Sequence, residues 1–244
     1  MSGASWAGRP LVGFDLETTG VDPETDRIVT GCVVRYGGGR PTEARTWLAD
    51  PGVPIPAGAT AVHGVTTEAA RASGRPAADV VTEITAALVQ AAAEGLPIVA
   101  MNAAFDLTML DREARRYGVR PLGDLCSPVV LDPRVLDRQL DRYRRGGRTL
   151  TDLCRHYVVR LEAAHSADAD AVAACALVWK LAARYQVLAH TELGELHDLQ
   201  TRWAREQAEG LRDYFVRTPG KEHLAASVRL DWPMIPAPRG GAPR

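Results

Sequence analysis

The sequence predicts an α/β domain around a mixed sheet, three antiparallel strands followed by two parallel ones, flanked by helices. Two patterns carry that prediction. Three β-rich stretches, "PLVGFDLE", "RIVTGCVVRYGG" and "EARTWLAD", are joined by the turn-forming "TTGVDPETD" and "GGGRP", connections short enough for an antiparallel meander. Further on, segments of helical spacing alternate with short, continuously apolar runs, the pattern of strands buried between helices.

The elements follow in order. After the meander, "PGVPIPAGATAVHG" is too rich in Pro and Gly to predict a regular element. In "PAADVVTEITAALVQAAAEG", Val80, Ile84, Ala87, Leu88 and Ala91 recur at helical spacing. "LPIVAMN" reads as a buried strand, leading into a helix over "AAFDLTMLDREARRYG" that stops at Gly118. "SPVVLD" reads as another short strand, "PRVLDRQLDRY" and "TLTDLCRHY" as helices, and residues 166–185 as a long Ala-rich helix. Beyond about His190, Leu196, Leu199, Trp203 and Leu211 form one helical stripe, expected to pack on the parent domain, before the polar tail "PAPRGGAPR". The expected division is a domain over 1–190 and a helical appendage with its tail over 191–244.

Composition narrows the function classes. With 244 residues, 46% hydrophobic and 24% charged, the chain has the make-up of an ordinary globular protein with a substantial core. A formal net charge of -1 excludes a protein that coats polyanions by global basicity, so any nucleic acid must be met by a local patch. Cys32, Cys126, Cys154 and Cys175 form no CxxC pair, which speaks against a zinc site or a disulfide framework and for a reducing cytoplasm. No run approaches the ~20 apolar residues of a membrane span, and the N-terminus lacks an export signal.

The chemistry begins at "FDLETTG". Side chains alternate faces along a strand, so Asp15 and Glu17 project from one face, about 6–7 Å apart along the chain, with Leu16 opposite. Carboxylates so close raise each other's pKa unless cations neutralise them, and magnesium is suited to a shallow carboxylate cluster because it keeps positions open for a phosphate. Asp106 in "NAAFD" falls in a first helical turn at the carboxyl end of a strand, where α/β sheets gather ligands; it equally suits a helix N-terminus that Asn102 would cap. In "HSADAD", His165 in the loop before the helix could swing over a site that an acid of the first turns approaches. Helical periodicity leaves Asp168 and Asp170 open as that acid.

Together the three elements, DxE on the first strand, NxxFD after a later strand and Hx4D on a late helix, resemble the DEDDh 3′–5′ exonucleases, a family that includes the proofreading epsilon subunit of bacterial DNA polymerase III and oligoribonuclease. The resemblance spans roughly residues 10 to 185. It implies a ribonuclease H-like fold, metal ligands Asp15, Glu17, Asp106 and Asp170, and His165 as general base, the family spacing selecting Asp170 over Asp168. It further implies two Mg2+ ions, replaceable by Mn2+, and a terminal nucleotide approached by Leu16, Thr18, His63 and Val65. Two positions depart from the family pattern: Gly58 stands where epsilon-type relatives carry a glutamate, and Met101 where many carry a histidine.

The expected activity is release of nucleoside 5′-monophosphates from the 3′ end of single-stranded or frayed DNA, in proofreading, repair or trimming. The partners this implies are DNA or RNA 3′ ends and a polymerase or repair complex, with no membrane. The rival readings are an exoribonuclease or oligoribonuclease and a non-catalytic nucleic-acid or polymerase-binding module. Arg134, Arg138, Arg142, Arg144, Arg145 and Arg148 could hold a substrate backbone, or form a solvated face that Asp137 and Asp141 partly offset.

Overall fold

The computed structural model describes residues 5–161 and 166–237. Strands β1 (Leu11–Thr18), β2 (Ile28–Tyr36) and β3 (Glu43–Asp50) form the expected meander. β1 and β2 pair antiparallel from Leu11 opposite Tyr36 to Glu17 opposite Thr30, and an extra residue on β2 then bulges the ladder before Thr18 opposite Ile28. β-Bulges bend a strand locally and recur beside functional sites.

The "PIPAGATAVH" region departs from expectation. It contains a helix, α1 (Ala57–His63), followed by α2 (Thr67–Ser73). Pro56 stands at its N-cap, and Gly64, at φ 77°, accepts the left-handed turn that ends it. The Pro and Gly residues punctuate the helix ends; only Gly58 lies inside. The two-residue β4 (Arg75–Pro76) joins the outer edge of β3, and α3 (Ala77–Ala93) follows.

The second half alternates as expected. β5 (Ile98–Val99) pairs parallel to β1 and leads into α4 (Ala103–Arg116); after the short α5 (Leu122–Leu125), β6 (Val130–Leu131) pairs parallel to β5. Helices α6 (Pro133–Leu140), α7 (Leu150–Tyr157), α8 (Ala167–Arg184), α9 (Gln186–His190) and α10 (Leu193–Arg217) complete the order, before a 3-10 turn over Glu222–Ser227. The sheet order is β4-β3-β2-β1-β5-β6, the mixed sheet predicted with a short parallel strand added at its outer edge.

Strand alternation sorts the core into two layers. Val12, Phe14 and Leu16 face α3, packing with Val80, Ile84 and Leu88. On the other side, Leu131 and Leu11 join Leu177, Val178 and Leu181 of α8. Gly13 lies on the α8 face, and a Cβ there would meet the Ala171 carbonyl oxygen at 2.6 Å and Cys175 Sγ at 3.0 Å. The missing side chain thus lets the start of α8 lie against β1, two residues from Asp15. Gly13→Ala is expected to cost ~1–3 kcal/mol as an overpacked contact, read as a lower urea midpoint.

Beyond β6, α10 covers the sheet edge with its side chains. Gln200, fully buried, donates from Nε2 to the Val130 carbonyl at 3.0 Å and accepts from the Asp132 N–H at 2.8 Å, while His197 Nδ1 accepts from the Val130 N–H at 3.1 Å. One amide therefore occupies the hydrogen-bonding groups a further strand would have used. Leu196 and Trp203 pack into the cores described above. The chain then returns over α4: Trp232 is buried, and Arg112 donates to the carbonyls of Ile235 and Pro236.

Candidate active site

Parallel β1, β5 and β6 point their carboxyl ends to one edge of the sheet, and the acids gather there. Asp15 and Glu17 share the α8 face of β1, and Asp170 reaches them from the first turn of α8. One carboxylate oxygen from each of the three lies within 4.8 Å of the others. Asp168, the competitor for that place, is exposed and takes its hydrogen bond from the Ser166 hydroxyl.

Asp106 stands beside this group and is held by β1 itself. It is 3% exposed, and its Oδ1 accepts from the Leu16 N–H at 3.1 Å. That N–H points towards β5, which has already ended, so the carboxylate closes the position a longer strand would fill. Asn102 occupies the N-cap of α4, but its side chain makes no capping bond and its backbone is left-handed at φ 63°. The cap comes from Asp132 after β6, whose carboxylate accepts from the N–H groups of Asn102 at 3.2 Å and Ala103 at 3.0 Å. Sequence reasoning missed Asp132; its one local signal is "LDP", an acid before a Pro at the start of a helix.

The electrostatics follow from crowding. Burial, then the charges of Asp106, Asp170 and Glu17, push the Asp15 carboxyl well above its ordinary range. Burial, then Asp170, pushes Glu17 up to about 7. Asp106 is also raised well above its usual value, chiefly by burial, against the pull of the Leu16 N–H. These three raised carboxyl groups, with Asp170 beside them, form an all-oxygen donor set suited to a hard divalent cation.

A cleft of about 350 Å³ opens beside Glu17, walled by Trp47, His63, Val65 and the start of α8. His63 Nδ1 accepts from the Val65 N–H at 3.2 Å, which leaves the proton on Nε2. Burial lowers the His63 pKa, partly offset by the Thr18 carbonyl against the ring. Leu16 is 5% exposed and packs in the α3-side core, and Thr18, 9% exposed, donates its hydroxyl to the Gly20 carbonyl. Neither lines the cleft. At Gly58 the surface is open, a Cβ meeting nothing within 4 Å. His165 lies outside the described residues.

The arginine run divides. Arg144 Nη2 and Arg148 Nε donate to Asp137 at 3.0 and 2.7 Å, and the Tyr157 hydroxyl donates to the same carboxylate at 2.8 Å. Asp137 is fully buried and the Arg144 side chain only 6% exposed, so this pair is part of the scaffold and not a patch for phosphates. Asp137→Ala would strand two cations, and an expected loss of ~3–5 kcal/mol should appear as a lower denaturant midpoint.

An α/β sheet with clustered acids at the carboxyl edge of its first strand defines a class, and the comparisons place the chain within it. The RNase_T family model, described as an exonuclease, matches residues 12–178, and the chain belongs to that family. It is 35% identical over 168 residues to a DNA polymerase III subunit epsilon-like protein of Rhodobacter capsulatus, covering 67% of this chain and 22% of that protein. It is 30% identical over 193 residues to a PolC-type DNA polymerase III of Lacticaseibacillus paracasei, covering 79% of this chain and 13% of that one. The chain therefore spans less than a quarter of the length of either relative. Among solved structures, E. coli exonuclease I in complex with a dT13 oligonucleotide shares the fold at a TM-score of 0.62 and 20% identity, over 73% of this chain and 42% of that one. No helix among the described residues is long and apolar enough to cross a membrane.

Proposed function

We propose that the chain is a divalent-metal-dependent 3′–5′ exonuclease that trims single-stranded or frayed DNA ends to nucleoside 5′-monophosphates. The observation that carries this reading is the meeting of Asp15, Glu17 and Asp170 at one edge of an exonuclease-family sheet, with Asp106 beside them. These four would hold Mg2+ or Mn2+, and His165 would act as general base. Bound there, a pair of such ions would neutralise the carboxylates, activate a water and stabilise the leaving oxygen of an in-line displacement at phosphorus.

The chain's own residues supply the rest. His165 would take the water's proton, imidazole being the side chain suited to proton exchange around neutral pH. His63 and Val65 wall the cleft and would meet the terminal nucleotide there. Leu16 and Thr18 act by shaping the strand end that carries Glu17. A frayed end is the favoured substrate, since a paired base leaves its stack at a cost of a few kcal/mol. The names of the relatives support work beside a replicative polymerase, and association with one is part of the proposal.

The test is digestion of matched DNA and RNA oligonucleotides, labelled at the 5′ end, with Mg2+, with Mn2+ and with EDTA. Stepwise shortening of DNA from the 3′ end, stopped by EDTA, is expected. Preference for RNA would overturn the substrate, and no metal-dependent release would overturn the enzyme.

A further inference from the structure

With Arg144 and Arg148 committed to Asp137, Arg138 and Arg142 line a trough together with Arg134, which donates to Asn102 Oδ1 at 2.7 Å. Two adjoining cavities, of about 210 and 500 Å³, run between α6 and α10 and share Arg138, Gln207 and Leu211 as walls. Asn102 and Arg134 stand at one end, Arg142 and Tyr214 at the other. Among the described residues, Arg138 makes no hydrogen bond or ion pair although it is half-buried. Burial, then the charges of Arg134 and Arg148, hold its pKa below the usual guanidinium range. The carboxylates along the walls are Asp132, occupied by backbone N–H groups, with Glu206 and Asp231. A desolvated, unpartnered guanidinium among other cations is a place for an anion.

The position of the trough says which anion. Its head, Asn102, is one helical turn from Asp106, about 6 Å along α4. Its start also lies at the carboxyl ends of β5 and β6, the edge that carries the acids, within about 10 Å of β1 at the usual strand spacing. At the far end Tyr214 is 50% exposed and carries the Lys221 ammonium over its ring, 5.3 Å from the centroid, a further cation beside the trough.

We infer that this trough is the track for the single-stranded polynucleotide upstream of its 3′ terminus, with phosphates met by Arg138 and Arg142. The inference rests on the proposed nuclease reading for its substrate, and its test is separable from that reading. Binding of thymidylate trimer and dodecamer, each labelled with fluorescein at the 5′ end and linked by phosphorothioates that resist hydrolysis, is measured by anisotropy in Mg2+ for wild type and for the double variant Arg138→Gln/Arg142→Gln. The dodecamer is expected to lose ~10-fold in affinity and its salt slope to fall by ~1.4, because two phosphates of a single strand go unneutralised at about 0.7 each. The trimer, short enough to stay at the carboxylates, is expected to change less than ~2-fold. Equal dodecamer affinity in wild type and double variant, at unchanged thermal midpoint, would overturn the track, and so would equal losses for trimer and dodecamer. Failure of the nuclease reading shows elsewhere, as no hydrolysis by wild type in Mg2+ or Mn2+.

Discussion

Asp15→Asn will remove metal-dependent mononucleotide release while leaving the metal-free chain at least as stable as wild type. The two effects have one cause. Asp15 is the centre of the carboxylate crowd, raised first by burial and then by Asp106, Asp170 and Glu17. Asparagine keeps the shape and deletes one of the mutually repelling charges, so a metal-free fold loses a strain and no packing. For a bound cation the same change deletes a charged ligand. Changing a residue that merely supports a metal ligand already costs about 10–100-fold, so loss of a ligand itself should exceed ~10²-fold in kcat/KM. His165→Ala should fall within the ~10²–10⁴-fold range of a lost general base. Paired measurement of hydrolysis and thermal midpoint checks the first variant. Activity near wild type would remove Asp15 from the site, whereas a lower midpoint together with lost activity would make its role structural.

How far the sequence could be read depended on how local each cause was. Asp15 and Glu17 were legible because strand alternation alone puts them on one face, and the sheet was legible because its strands are bounded by turn residues. Asp168 and Asp170 could not be separated by periodicity, because what separates them is tertiary: α8 lies against β1 where Gly13 has no side chain, and that close approach aims Asp170 at Asp15. Asp132 was invisible for the same reason, its partners Asn102 and Ala103 lying about thirty residues earlier in the chain. Arg144 read as a candidate phosphate ligand because a sequence records charge without recording its partner, here the buried Asp137. The helix α1 was hidden by Pro56 and Gly64, which mark its two ends.

Adding Mg2+ or Mn2+ will raise the melting temperature, and by much more under mildly alkaline than under mildly acidic conditions. Glu17 carries the argument, since its carboxyl is pushed from an ordinary 4.5 to about 7 by burial and then by Asp170. Between those values the folded metal-free chain holds a proton that the unfolded chain releases. Its stability therefore falls as pH rises through that window and stays low above it. A divalent cation competes for the same oxygens: protons occupy them at about pH 5, and by about pH 8 they are free to bind metal. At a metal concentration near 100 times Kd, mass action adds about 2.7 kcal/mol, which for a chain of this size is ~5–10 °C in Tm. Asp15→Asn should abolish most of that shift, and the reading depends on it: a metal-induced shift of equal size at both pH values, or one that survives in the variant, would put the cation somewhere other than among these carboxylates.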